Sequence, residues 1–128
     1  MKALLDTSTF LWWNLDSPNL SLTARKFIAD GTNEIYLSAA SAWEIAIKYS
    51  RGRLLLPEEP SRYVGNRMAH YQFLALPIQV SHALQVTQLP SIHQDPFDRL
   101  LVAQCQLEDL PILTSDSEIR QYDVKVIW

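Results

Sequence analysis

Residues 92–101, IHQDPFDRLL, carry two carboxylates three positions apart, Asp95 and Asp98, where a helical pattern begins. Acids at a helix start satisfy orphan N–H groups and complement the positive end of the dipole, contributing about 0.5–2 kcal/mol. Asp95 reads as the N-cap and Pro96 as the first helical residue, where the missing proline N–H costs nothing. Asp98 exceeds that need. Two more acids directly follow short apolar runs, Asp6 after ALL and Asp116 after ILTS, and Glu44 lies about a turn into the helix after EIYLS. Carboxylates brought to about 4 Å repel by about 4 kcal/mol at an effective dielectric of about 20, a conflict that a divalent cation resolves. Oxygen donors, with one cysteine and three histidines in the chain, suit Mg²⁺ or Mn²⁺ better than zinc. Such an ion meets phosphate oxygens and activates water, so the chemistry is phosphodiester hydrolysis.

The elements that must position these acids alternate along the chain. Apolar runs at 2–5, 34–38, 73–77, PILTSD and VKVIW read as strands; TSTFLWWN, 22–30, AWEIAIKYSRGR, 61–71, 81–87 and 96–109 read as helices. Helix 22–30 is expected to turn Leu22, Phe27 and Ile28 inward and to end at a Gly31 cap. Ser38 or Ser41 starts the next helix, with Ala42, Ile45 and Tyr49 on its apolar face and Gly52 at its end. Phe97, Leu100, Leu101 and Cys105 form the inner face of the last helix. Strands alternating with helices imply a largely parallel sheet with helices on both faces, a three-layer α/β domain spanning 1–128. In such sheets sites form beyond the carboxyl ends of the strands, so four segments can deliver Asp6, Glu44, Asp98 and Asp116 to one edge.

Composition narrows the setting. A chain of 128 residues buries a sizeable core without disulfides, and a lone Cys105 within an apolar pattern is a packing residue in a reducing compartment. The N-terminal run contains Asp6 and lacks a small-residue cleavage site, so neither a signal peptide nor a membrane span is expected. A formal charge of −3 at pH 7 gives no general attraction to nucleic acid. RNA binding would need a local patch, and Lys48, Arg51 and Arg53 offer one; an ordinary solvated helix end is the equal alternative.

LLDTSTFLWW, SAASAWEIAIKYSRGRL, HQDPFDRLLVAQC and ILTSD, in this order and spacing, resemble the PIN-domain family and within it the VapC-type toxins of toxin–antitoxin pairs. The resemblance covers nearly the whole chain. It implies a three-layer PIN-like fold, a Mg²⁺- or Mn²⁺-dependent endoribonuclease in the cytoplasm, a homodimer, and inhibition by a cognate VapB-type antitoxin. Its catalytic acids fall on Asp6, Glu44, Asp98 and Asp116, with Asp6, Asp98 and Asp116 as metal ligands. Asp95 is then an accessory acid or the helix cap. Ser8 departs from the His that many relatives in this subgroup carry, which bears on substrate contact and not on the core acids.

Other residues have two readings. Thr7 and Ser115, each beside a strand-end acid, either hydrogen-bond a ligating carboxylate or cap a helix. His93 either orients substrate or is a surface histidine, the commoner outcome. Trp12 and Trp13 could stack bases, but burial is favoured: one packs inward and the other helps form a dimer surface or a groove for the antitoxin. A receiver-type phospho-acceptor domain would need adjacent acids after an early strand and a late Lys, and a haloacid-dehalogenase-like phosphatase a second Asp at position 8; neither pattern is present. A non-catalytic PIN relative serving as a binding or scaffold subunit would be expected to have lost some of its acids, and all four are here.

Overall fold

The computed structural model describes residues 1–128. Strand β1 (Lys2–Leu5) buries Ala3, Leu4 and Leu5 completely. A strand apolar on both sides belongs at the centre of a parallel sheet covered on both faces. β2 (Glu34–Ser38) and β4 (Ile112–Leu113) flank it, with β3 (Leu74–Leu76) and β5 (Val126–Ile127) at the edges. The order is β3-β2-β1-β4-β5 and every pairing is parallel. Parallel neighbours require crossovers. These contain α1 (Thr7–Asn14), α2 (Leu22–Ala29), α3 (Ala39–Ser50), α4 (Pro60–Tyr71), α5 (Val80–Gln85) and α6 (Pro96–Glu108). The period of two along β1 sends Ala3 and Leu5 into a core with Phe10, Ala24, Ile45 and Tyr63, and Leu4 into a second core with Leu101, Val102, Cys105 and Ile119. The result is the three-layer α/β arrangement that the alternation of elements implies. No helix is long and apolar enough to cross a membrane.

Several local expectations are corrected. Helix α2 buries Ala24 and Ile28, four apart, whereas Leu22 lies about 200° round the helix from Ala24 and is 65% exposed. Gly31 does not cap α2: the chain leaves through an extended Asp30, whose carboxylate accepts from Thr32 N and Oγ1. In α3 the side chain of Ser38, not Ser41, caps the start, and Gly52 at φ 68° ends the helix in the left-handed conformation that glycine tolerates best. The last turn of α3 runs past the core, so Tyr49 is exposed; Ile45 in mid-helix is fully buried, and Ala42 in the first turn is half-buried. The first turn of α6 likewise overhangs the sheet. Leu101 and Cys105 are core, but Phe97 and Leu100 are only half-buried.

Buried Gln104 ties α6 to the strand ends. Its Oε1 accepts from Ser38 Oγ (2.6 Å) and its Nε2 donates to the Pro77 carbonyl (3.2 Å). Arg99, the Arg of DPFDR, fixes the segment ahead of α6: its guanidinium donates to the carbonyls of Pro90 and Val86 and to Tyr122 Oη, which also accepts the backbone N–H of His93 (2.8 Å). Replacing Gln104 by Leu keeps the volume but strands the Ser38 hydroxyl and the Pro77 carbonyl. Urea denaturation of Gln104→Leu should therefore show a loss of about 1–3 kcal/mol with an unchanged m-value.

Candidate active site

The chain turns from strand to helix immediately after Leu5, so Asp6 must end one element and begin the next. Its Oδ1 caps α1 by accepting the Thr9 N–H (2.7 Å). Its Oδ2 accepts from the Thr114 hydroxyl at the end of β4. At that strand end Asp116 Oδ1 accepts the N–H groups of Glu118 (2.7 Å) and Ile119 (3.2 Å). Because β1 and β4 pair directly, and the chain runs from β1 through β2 to β3 on one side before crossing back to β4 on the other, the two acids share the switch point of the sheet, where α/β folds place ligands.

Helices bring the remaining acids. Asp95 Oδ1 accepts from the N–H of Phe97 (2.8 Å) and of Asp98 (3.3 Å), so Asp95 is the cap of α6 and Asp98 is left to face the cleft. Glu44 on α3 is buried; Thr7 Oγ1 donates to its Oε1 (2.6 Å) and shares a hydrogen bond with Ser41 Oγ (2.9 Å), while Lys48 Nζ lies 2.7 Å from its Oε2. Asp6, Glu44, Asp98 and Asp116 thus line one wholly polar cleft of about 350 Å³, together with Thr7, Ser8, Lys48, His93, Asp95 and Ser115.

His93 overturns the expectation of a surface histidine. Its side chain is 14% exposed, with Nε2 at 2.9 Å from Asp116 Oδ2 and 3.1 Å from Asp98 Oδ2. Nδ1 accepts the Asp95 N–H (3.0 Å), so neutral His93 carries its proton on Nε2 and donates it toward the two acids. Burial alone would lower its pKa, but the Asp116 hydrogen bond and the charges of Asp98, Asp116 and Glu118 outweigh this and raise it.

The acids respond to their surroundings in opposite ways. Burial, then the charges of Asp95, Asp6 and Glu44, push Asp98 up to about 7. Burial also raises Asp6, against the hydrogen bonds of Thr114 and Thr9. Asp116 is less enclosed; burial would raise it, yet the His93 hydrogen bond and two backbone N–H groups hold it below the ordinary carboxylate value. A carboxyl pushed up to about 7 by burial and by three neighbouring acids sits in a cleft short of positive charge, and that is the chemistry a divalent cation fits. Ligand atoms of His93, Asp98 and Asp116 lie within 4.8 Å of one another, with Asp6 and Glu44 lining the same cleft. The donor set is mainly oxygen with one imidazole, compatible with Mg²⁺ and more so with Mn²⁺.

Of the accessory residues, Thr7 contacts an acid, whereas Ser115 is exposed at the rim and Thr114 takes the hydrogen-bonding place expected of it. The two hydroxyls are adjacent and both precede Asp116, and only the alternation of the chain leaving β4 decides which one meets Asp6. Arg51 and Arg53 are exposed and line an adjoining cavity of about 500 Å³ that shares Glu44, Lys48, His93 and Asp95 with the acidic cleft. Trp12 and Trp13 are both half-buried against the first core, beside Trp128 and Tyr71. The exposed tryptophan is Trp43. Arg99 and Tyr122, which hold the His93 segment, gave no functional signal beyond the place of Arg99 in the DPFDR run.

The PIN domain family model matches residues 3–125. The chain belongs to the PIN domain family. It is similar to Ribonuclease VapC16 of Mycobacterium tuberculosis (strain ATCC 25618 / H37Rv), 48% identical over 59 residues; that stretch is 46% of this chain and spans only 40% of the relative's length. Among solved structures it resembles VapBC2 from Rickettsia felis, determined bound to a DNA fragment from their promoter (TM-score 0.72, 12% identity, 98% of this chain and 97% of that one). It also resembles FitAcB from Neisseria gonorrhoeae (TM-score 0.67, 21% identity, 98% and 96%). At these identities the two structures show a shared PIN fold.

The charge crowding has a measurable consequence. An acid whose pKa is raised by folding stabilises the fold fully below its unfolded value, near 3.8, and loses that contribution as pH rises through about 7. In EDTA, the melting temperature should therefore fall between pH 5 and pH 8. Asp98→Asn should flatten this slope and melt roughly 5 °C higher than wild type at pH 8. Equal slopes for the two proteins in scanning calorimetry would contradict a raised Asp98 in the folded protein.

Proposed function

We propose that this chain, a single domain over residues 1–128, is a metal-dependent endoribonuclease acting as the VapC-type toxin of a toxin–antitoxin pair. The observation that carries the reading is the cleft at the switch point, where Asp6, Glu44, Asp98 and Asp116 converge with only Lys48 and His93 as basic side chains in its lining. Family membership and the 48% identity to a ribonuclease over part of the chain support it.

In this reading Asp6, Asp98 and Asp116 hold Mg²⁺ or Mn²⁺. The ion would polarise the scissile phosphate and lower the pKa of an attacking water. The chain's own residues provide the frame. Thr9 and Thr114 hold the Asp6 carboxylate in one orientation, and Glu118 and Ile119 N–H groups do the same for Asp116. Glu44, anchored by Thr7 and Lys48, completes the acidic wall. Asp98 must lose its proton to serve as a ligand, so cation binding near pH 6 releases protons. Lys48, Arg51 and Arg53 meet RNA phosphates on the flank. The acids equally attract a cationic side chain of a VapB-type antitoxin, whose apolar segment would seat near Trp12 or Trp13. The active form is a cytoplasmic homodimer.

Asp6→Asn and Asp98→Asn keep side-chain shape and remove a negative ligand, so RNA cleavage should drop by at least about 100-fold with the circular-dichroism spectrum unchanged. EDTA should abolish cleavage by wild type, and Mg²⁺ or Mn²⁺ should restore it. Expression of wild type alone should arrest growth, and co-expression of the cognate antitoxin should relieve the arrest. Growth arrest by Asp98→Asn at the wild-type protein level would sink the nuclease-toxin reading.

A further inference from the structure

The sequence sets an aromatic residue directly before each of two site acids: Trp43 precedes Glu44 and Phe97 precedes Asp98. Neighbours on an α-helix are about 100° apart. An acid that faces the cleft therefore carries the preceding ring on the flank beside it. Helices α3 and α6 bring the two rings into edge-to-face contact, with centroids 5.2 Å apart and planes at 76°. Phe97 is half-buried and braces the pair. Trp43 is 57% exposed, while the other three tryptophans are half-buried. The contact fixes the indole without covering it, so a large apolar surface stays in water that burial would have turned into stability.

Charge and continuity say what that surface meets. Ile47 and Arg51, one and two turns further along α3, line a shallow depression with Trp43. Both also line the cavity that reaches Glu44, His93 and Asp95 of the acidic cleft. The depression under the indole and the cavity that reaches the acids thus adjoin through Ile47 and Arg51, and Lys48, Arg51 and Arg53 line the latter. A ligand suited to both has a planar apolar face next to a repeating negative charge. A basic, apolar peptide fits less well, because the cations that welcome phosphate repel it.

We propose that Trp43, braced by Phe97, is the platform on which an unpaired base of single-stranded RNA stacks while the adjoining phosphate lies in the acidic cleft. This deepens the nuclease reading above and rests on it for the substrate. Every base has a π-face, so such a platform tolerates sequence and selects unpaired RNA, whose bases are free to stack, over duplex.

Binding can be read apart from cleavage with the metal-free Asp98→Asn protein and a fluorescein-labelled single-stranded oligoribonucleotide in an anisotropy titration. Adding Trp43→Ala should weaken binding about tenfold or more, and Trp43→Phe should recover most of the loss. Against a fully abasic strand of the same length, Trp43→Ala and its parent should bind alike. RNA cleavage by wild type tests the nuclease reading separately. The platform is overturned if Trp43→Ala binds the normal strand as tightly as its parent, or loses as much affinity for the abasic strand. It is also overturned if the loss follows dissociation of a dimer in sedimentation, or if Trp43→Ala spares RNA and weakens only a basic, apolar peptide.

Discussion

Asp6 is gripped from two directions, by the N–H of Thr9 in its own helix and by the hydroxyl of Thr114 across the β1–β4 pairing. The grip fastens a buried carboxylate to the centre of the sheet at the point where the chain order reverses. Burial there opposes ionisation, and the two hydrogen bonds oppose that opposition. Once Asp6 is fixed, any acid brought to the same edge is held against a partner that cannot retreat. Asp98, arriving from α6, is pushed up to about 7, first by its own burial and then by the charges of Asp95, Asp6 and Glu44.

The protein answers part of this repulsion internally. Lys48 neutralises Glu44 one helical turn away, and His93 stands between Asp98 and Asp116. Neither Lys48 nor His93 hydrogen-bonds Asp6, whose partners are Thr9 and Thr114. The arrangement is a site that is stable enough to fold and still short of positive charge, which is the condition for binding a cation tightly without having to build a neutral cage first.

Rigidity around the cleft comes from polar side chains that the acidic motif alone does not reveal. Gln104 joins α6 to the ends of β2 and β3, and Arg99 with Tyr122 holds the segment carrying His93. Such fully bonded buried groups specify one arrangement because any displacement leaves a donor or acceptor unpaired. The same helices that carry Glu44 and Asp98 also carry Trp43 and Phe97, so the geometry of the acids and that of the exposed indole are set together.

Much of this was legible in the residue order. Short apolar runs ending in acids located Asp6 and Asp116, the Asp-Pro pair located the start of α6, and alternation of strand and helix gave a parallel three-layer sheet; each is a local signal, set by backbone geometry within a few residues. Burial of helix faces was less legible: Leu22 lies on the face of α2 turned away from Ala24 and Ile28, and Tyr49 and Phe97 are apolar and suitably spaced, but how far a helix overhangs its sheet depends on the length of the strands beneath it. His93 and Thr114 were decided by the tertiary structure alone. A histidine two residues before a capped helix, or one of two adjacent hydroxyls, has the same local chemistry whether it faces water or a carboxylate. Only the pairing of β1 with β4, and the anchoring of the His93 backbone on Tyr122, bring those side chains within hydrogen-bonding distance of acids that lie up to 108 residues away in the chain.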